Sequence, residues 1–155
     1  YFENFTNLLP MDRHGSLKKS LRLASAAIRA GETLLVFPEG TRARDGVMTE
    51  FKPAVGYLCL HDGVDILPMW LGGTYESLPV GATVPRSRAL EVRIGAPLEH
   101  DRMRDATRGM SRSKAYRHVT RELERRVRAL AGMPPRAELE ETPESALLHP
   151  EEAPR

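Results

Sequence analysis

Cysteine is nearly absent from this chain: Cys59 stands alone among 155 residues. A single thiol excludes an internal disulfide framework and any zinc cluster built on cysteines. Aromatic residues are scarce, at 6 %, with one Trp. No apolar run approaches the ~18 residues of a membrane-spanning helix. A basic-then-apolar leader is lacking, because the chain opens on Tyr1-Phe2-Glu3-Asn4, which does not read as a signal peptide. Nor does it open on Met, so it reads as the continuation of a longer protein. The five His fall at no metal-ligand spacing, and no metal site is expected. Together these absences point to a cytoplasmic compartment.

What is present suffices for one domain. Apolar residues make up 41 % and charged residues 28 %, with a formal charge of +2, which is ordinary for a soluble fold with a buried core. The near-neutral total conceals an asymmetry. Between Arg86 and Arg128 thirteen basic residues face six acidic ones, whereas from Arg136 to Arg155 six Glu face two Arg. The stretch from Met133 carries Pro134, Pro135, Pro143, Pro150 and Pro154 and no aromatic residue. Such a composition buries too little apolar surface to offset chain entropy. Residues 133–155 are therefore read as a disordered, acidic, Pro-rich tail behind a folded part spanning 1–132.

Periodicity predicts the elements of that folded part. Leu17, Leu21, Ala24 and Ile28 share one helix face, with Ser16 as a start and Gly31 as a left-handed stop. Thr33-Leu34-Leu35-Val36-Phe37 is continuously apolar, as buried parallel strands tend to be, and Pro38 ends it. Pro53 suits the first position of a second helix running to Gly63. Asp65–Leu71 reads as a strand with Pro68 at its end or edge. Gly72–Arg88 reads as a long loop, and Ala89–Ile94 as a third strand. Tyr116, Val119, Leu123, Val127 and Leu130 make the apolar stripe of a last helix from about Ser113 to Ala131. The order helix, strand, helix, strand predicts an α/β fold: a mixed, largely parallel sheet flanked by helices and incomplete at its N-terminus. Ligands of such sheets gather in loops beyond the strand ends, which is where Pro38–Gly46 falls.

That loop carries the chemistry. Arg42 offers a planar fork of donors suited to phosphate. Gly40 permits a positive φ and a close backbone approach. Thr41 adds a hydroxyl, and Glu39 either accepts from a substrate hydroxyl or holds Arg42. The set suits a phosphorylated polyol; the plainer reading is a turn with a surface Glu–Arg pair.

The string Val36-Phe37-Pro38-Glu39-Gly40-Thr41-Arg42 resembles the FPEGTR motif of the glycerolipid acyltransferases, the 1-acyl-glycerol-3-phosphate acyltransferases and their relatives. Upstream, Leu9-Pro10-Met11-Asp12-Arg13 is similar to the family's second block. Downstream, Val64-Asp65-Ile66-Leu67-Pro68-Met69 is similar to its fourth, and Phe51-Lys52 matches the Phe-Lys that follows the motif. The family has a Gly soon after that Lys; here Pro53-Ala54 intervene and Gly56 comes later. The resemblance covers roughly residues 8 to 98. It implies acyl transfer in phospholipid biosynthesis, from acyl-CoA or acyl carrier protein as donor substrate, with no other cofactor, to a hydroxyl of a glycerol phosphate or lysophospholipid. It assigns substrate binding to Arg13, Glu39, Gly40, Thr41, Arg42 and Lys52. Pro68 would shape a wall, and Trp70 and Tyr75 either line a substrate path or belong to the core.

The family's catalytic pair, His-x-x-x-x-Asp, uses the His as general base toward the acceptor hydroxyl. Only His100 and Asp105 have that spacing, and they lie after the phosphate loop rather than before it, so they read as a charged helix start. The pair is expected upstream of Tyr1, this chain being the C-terminal part of the acyltransferase domain and inactive alone. Further domains of a larger chain are a possible partner. The rival class is a non-catalytic phosphate- or membrane-binding regulatory domain. The last helix carries Arg117, Arg121, Arg125, Arg126 and Arg128 beside its apolar stripe, as membrane-surface helices do. Peripheral contact at the inner face of the membrane is therefore expected. Nucleic acid is not, because no aromatic residue alternates with the basic ones for base stacking.

Overall fold

A computed structural model describes residue 9 and residues 17–43 and 45–136. Arg13, the Ser16 start signal, Arg44 and the tail from residue 137 onward lie outside the described residues. Helix α1 spans Leu17–Arg29 and α2 spans Ala54–Asp62. Strands β1, Met69–Gly72, and β2, Glu91–Ile94, flank a single turn of helix, α3, Thr74–Ser77. Helices α4, His100–Ala106, and α5, Arg112–Leu130, complete the order.

The core lies where α2 crosses α5. Phe51, Val55 and Cys59 on one side meet Val119, Leu123 and Val127 on the other, with Leu98 and Met103 closing one end. Three of the five residues of the predicted α5 stripe are thus fully buried, and Tyr116 and Leu130 partly so. Gly56 allows the crossing to be close: a Cβ there would overlap the Tyr116 carbonyl oxygen and stand 2.8 Å from Thr120 Oγ1. Helix α2 stops at Gly63, whose φ of 71° is the left-handed conformation that glycine adopts without penalty. Helix α1 is tied to the end of α2 by the buried Asp62 carboxylate, which accepts from Ser25 Oγ at 2.6 Å and from Arg29 at 3.2 Å.

The sheet departs from the sequence expectation. Among the described residues it has two strands, antiparallel, with Met69 opposite Ile94 and Trp70 opposite Arg93. An isolated antiparallel bridge between Ile66 and Leu98 continues the ribbon. The chain doubles back through α3 and the loop after it, and such a direct return pairs strands antiparallel; parallel neighbours need a crossover packed on the sheet. The predicted strand at Thr33–Phe37 is irregular chain with no strand partner among the described residues. Leu35 is 72 % and Phe37 64 % exposed, so the segment is not core here. Pro68 behaves as predicted: it is buried just before β1, and its carbonyl accepts the Gly95 N–H at 2.9 Å.

The two faces of the ribbon differ, one holding Trp70 and Gly72 and the other four exposed apolar side chains. Trp70 points toward the core, with the Arg93 guanidinium 4.9 Å from its ring centre. Arg93 also pairs with Glu91 and donates to the Leu130 carbonyl at the end of α5. Met69, Leu71, Val92 and Ile94, which share the opposite face by register, are all exposed.

Candidate functional site

Residues 38–52 form one closed loop. The Lys52 N–H donates to the Pro38 carbonyl at 2.8 Å and joins the two stems. At the tip of the entering stem the Gly40 N–H donates to the Phe37 carbonyl at 3.1 Å, with Gly40 at a φ of 71°. A non-glycine side chain is strained at that angle. Glu39 reaches across the loop, where one carboxylate oxygen accepts both the Thr49 N–H at 2.7 Å and the Thr49 hydroxyl at 3.0 Å. It does not hold Arg42, so the surface Glu–Arg pair of the plainer reading is not formed. Asp45, exposed, accepts the Val47 N–H at 3.1 Å in a local turn. The Thr41 hydroxyl donates to the Arg42 carbonyl.

Two of the loop's three carboxylates are thereby engaged with the loop's own donors, while Glu50, Arg42 and Lys52 are exposed. Arg42 and Lys52 are exposed, and neither forms an ion pair among the described residues. The structure brings Lys52 onto the motif: its Cγ lies 3.9 Å from where a Gly40 Cβ would stand, so its stem crosses the motif glycine. Glu39, Gly40, Thr41, Arg42 and Lys52 therefore share one loop. Arg13 lies outside the described residues. Tyr75, from α3, packs on the far side of the loop, its ring 3.1 Å from a Cβ built on Gly46. Trp70 is part of the core and stays away from the loop's exposed side.

His100 and Asp105 do not meet. The His100 ring donates from Nδ1 to the Cys59 carbonyl at 2.9 Å, and its backbone N–H goes to Asp65 at 2.8 Å. Asp105 pairs with Arg108 at 3.0 Å. A ring nitrogen held by a backbone carbonyl and a carboxylate held by arginines make a helix start, as the charge pattern suggested. Among the described residues no group of three or more His, Cys, Asp and Glu side chains is placed to hold a metal ion. No helix there is long and apolar enough to cross a membrane.

The sequence reading missed Glu124. Its side chain is only 7 % exposed and accepts from the Phe51 N–H. The available signal was its position directly after Leu123, one place off the buried stripe.

Residues 2–72 match the family model described as Acyltransferase. That segment holds the FPEGTR string, in line with the resemblance to the glycerolipid acyltransferases. Among curated relatives it is similar to a 1-acyl-sn-glycerol-3-phosphate acyltransferase of Limnanthes douglasii, 33 % identical over 86 residues, which are 56 % of this chain and 30 % of that one. It is likewise similar to the chloroplastic 1-acyl-sn-glycerol-3-phosphate acyltransferases BAT2 of Brassica napus and LPAT1 of Arabidopsis thaliana. Each is 32 % identical over 73 residues, 47 % of this chain and 20 % and 19 % of theirs. The chain thus spans less than a third of the length of these relatives. No solved structure matches it.

Proposed function

We propose that this chain carries the acceptor-binding part of a glycerolipid acyltransferase, with the 38–52 loop holding the phosphate of a glycerol phosphate or lysophospholipid. The observation that supports it is the division of charge in the loop. Glu39 and Asp45 accept from loop N–H groups, whereas Arg42 and Lys52 stay exposed, with Glu50 the loop's one remaining carboxylate among the described residues. A planar guanidinium and an ammonium on one short loop suit a phosphate monoester. Bound there, the ester would present its free hydroxyl for esterification. Its oxygen attacks the carbonyl carbon of a thioester, acyl-CoA or acyl carrier protein; the C–S bond breaks, and the thiol leaves with a proton. The base for the acceptor proton is the family's His-x-x-x-x-Asp pair, which this reading places on a segment preceding Tyr1. Arg13 would add a third cation. Thr33–Phe37, apolar and unpaired, is the strand that would enter a parallel sheet completed by such a segment.

The bare face formed by Met69, Leu71, Val92 and Ile94 favours contact with a membrane or with that preceding segment. A peripheral enzyme at the inner face of a membrane fits this reading. The rival, a phosphate-binding domain without turnover, predicts the same loop. Calorimetric titration of the chain with sn-glycerol 3-phosphate tests what they share. Arg42→Ala should weaken binding by about tenfold or more, the worth of a charge-assisted bidentate contact. Unchanged affinity in Arg42→Ala, or no binding by the parent chain, rejects the assignment. Acyl transfer by a protein extended upstream, and none by this chain alone, separates enzyme from regulator.

A further inference from the structure

We propose that Glu124, on α5 and beyond the segment that matches the acyltransferase family, is a positioning residue for the 38–52 loop. This inference rests on the loop being the acceptor site. Glu124 is a carboxylate on the buried side of α5, between Leu123 and Val127 in the core stripe and 7 % exposed. Such a position is expensive for a charge unless every lone pair is engaged. Here they are. One oxygen accepts the Phe51 N–H at 3.1 Å. The other accepts Arg136 Nε at 2.7 Å, with an Arg128 nitrogen 3.9 Å away.

The partners decide what the carboxylate does. Phe51 N–H belongs to the returning stem of the loop, one residue before Lys52, whose own N–H closes the loop on Pro38. Arg136, held by Glu124, donates its second nitrogen to the Met48 carbonyl at 3.4 Å. The returning stem is therefore gripped at two backbone groups, Met48 and Phe51, by one ion pair anchored on α5. Between them lies Thr49, which Glu39 of the motif engages. A chain of direct bonds thus runs from Glu124 through the returning stem to Glu39, Pro38 and the Lys52 side chain over Gly40. A core helix needing only packing would do as well with an apolar residue of that size. An acceptor for a stem amide is what the carboxylate adds.

The role is tested by calorimetric affinity for sn-glycerol 3-phosphate together with amide hydrogen exchange, on the full 155-residue chain. In Glu124→Ala, affinity should fall by about tenfold, because a loop displaced by an ångström loses its aligned contacts. Exchange at Phe51 and Lys52 should rise by about tenfold or more while the α2 amides around Cys59 keep their protection. Glu124→Gln retains an acceptor oxygen for Phe51 and should recover affinity to within about threefold of the parent. A residue serving only the stability of α5 would show no such rescue. If Glu124→Ala unfolds the chain, Arg136→Gln takes its place and should weaken affinity by about threefold. Binding that Arg42→Ala abolishes and that neither Glu124→Ala nor Arg136→Gln alters overturns this inference and leaves the acceptor site standing. A parent chain that does not bind glycerol phosphate overturns both.

Discussion

Replacing Gly56 by Ala sets two effects of opposite sign against each other. Glycine inside a helix costs about 1 kcal/mol relative to alanine, and Gly56 sits in α2 with an ordinary helical φ. Propensity alone therefore predicts that the alanine variant is more stable by about that amount. The crossing predicts the reverse. The added methyl would overlap the Tyr116 carbonyl oxygen and approach Thr120 Oγ1 to 2.8 Å. Neither can turn away freely: the carbonyl is backbone, and the hydroxyl is bonded to that same carbonyl at 2.9 Å. Relief requires α2 and α5 to separate by the order of an ångström. Overpacking of this kind costs about 1–3 kcal/mol, and a gap of 0.5–1 Å forfeits about a quarter to a half of each contact across it. The contacts at stake join Val55 and Cys59 to Val119 and Leu123. A net loss of about 1 kcal/mol is expected after the propensity gain is credited. Urea unfolding followed by circular dichroism measures it. Gly63→Ala serves as control, because a Cβ there meets nothing within 4 Å and only the positive φ is strained. A Gly56→Ala midpoint equal to or above that of the parent would refute the close crossing.

Two further expectations concern titrating groups. The Glu122 carboxyl is lowered from 4.5 to about 2, chiefly by its hydrogen bond from Arg125 and also by Arg126, with partial burial opposing. Because its folded value lies below its unfolded one, its contribution is complete above pH ~4.5 and disappears as pH falls toward ~2. The Arg125 partner is 59 % exposed and the pair is screened by solvent, so the loss is about 0.5–1 kcal/mol; stability measured across that window should lose this slope in Glu122→Gln, and an unchanged slope counts against the Arg pairs. Cys59 is fully buried, and burial, with Asp65 adding to it, raises its thiol from 9.0 to about 11. Thiolate is scarce at pH 8 in that setting, so a disulfide reagent should label the folded chain at least about a hundredfold more slowly than the urea-unfolded chain, and comparable rates would contradict the core packing.

Periodicity made the helices legible because each is specified by its own face. Ala24, Val119, Leu123 and Val127 are buried where a period of 3.6 places them, and Pro53 and Gly63 bracket α2. Strands are specified by partners, and partners are distant in sequence. Leu34–Phe37 has the apolarity of a central strand, but no described strand pairs with it, so its side chains stand in solvent. The alternation over Ala89–Ile94 predicts a strand, found at Glu91–Ile94, while its antiparallel direction depends on the path of the 73–90 excursion, which no local pattern encodes. Helix α4 was visible only as a charged helix start around His100, because a single buried residue, Met103, carries its inward face.

The candidate site divides along the same line. Its glycine and Arg42 lie within one six-residue string, Phe37–Arg42, and are legible as such. What orders them comes from elsewhere: Glu39 is turned by Thr49, ten residues on, and the returning stem by Glu124, more than seventy residues on. A charge on α5 that scores as polar surface in any helical count is, in the fold, the acceptor for a loop amide. The consequence is directional. Substitutions at Arg42 or Lys52 should change affinity and leave the loop's amide protection in place, because their side chains support nothing else among the described residues. Substitutions at Thr49 should change both, since its N–H and hydroxyl engage the same Glu39 oxygen. That separation of ligand contact from loop order is what a phosphate site assembled on a braced loop requires, and a simple surface turn would not show it.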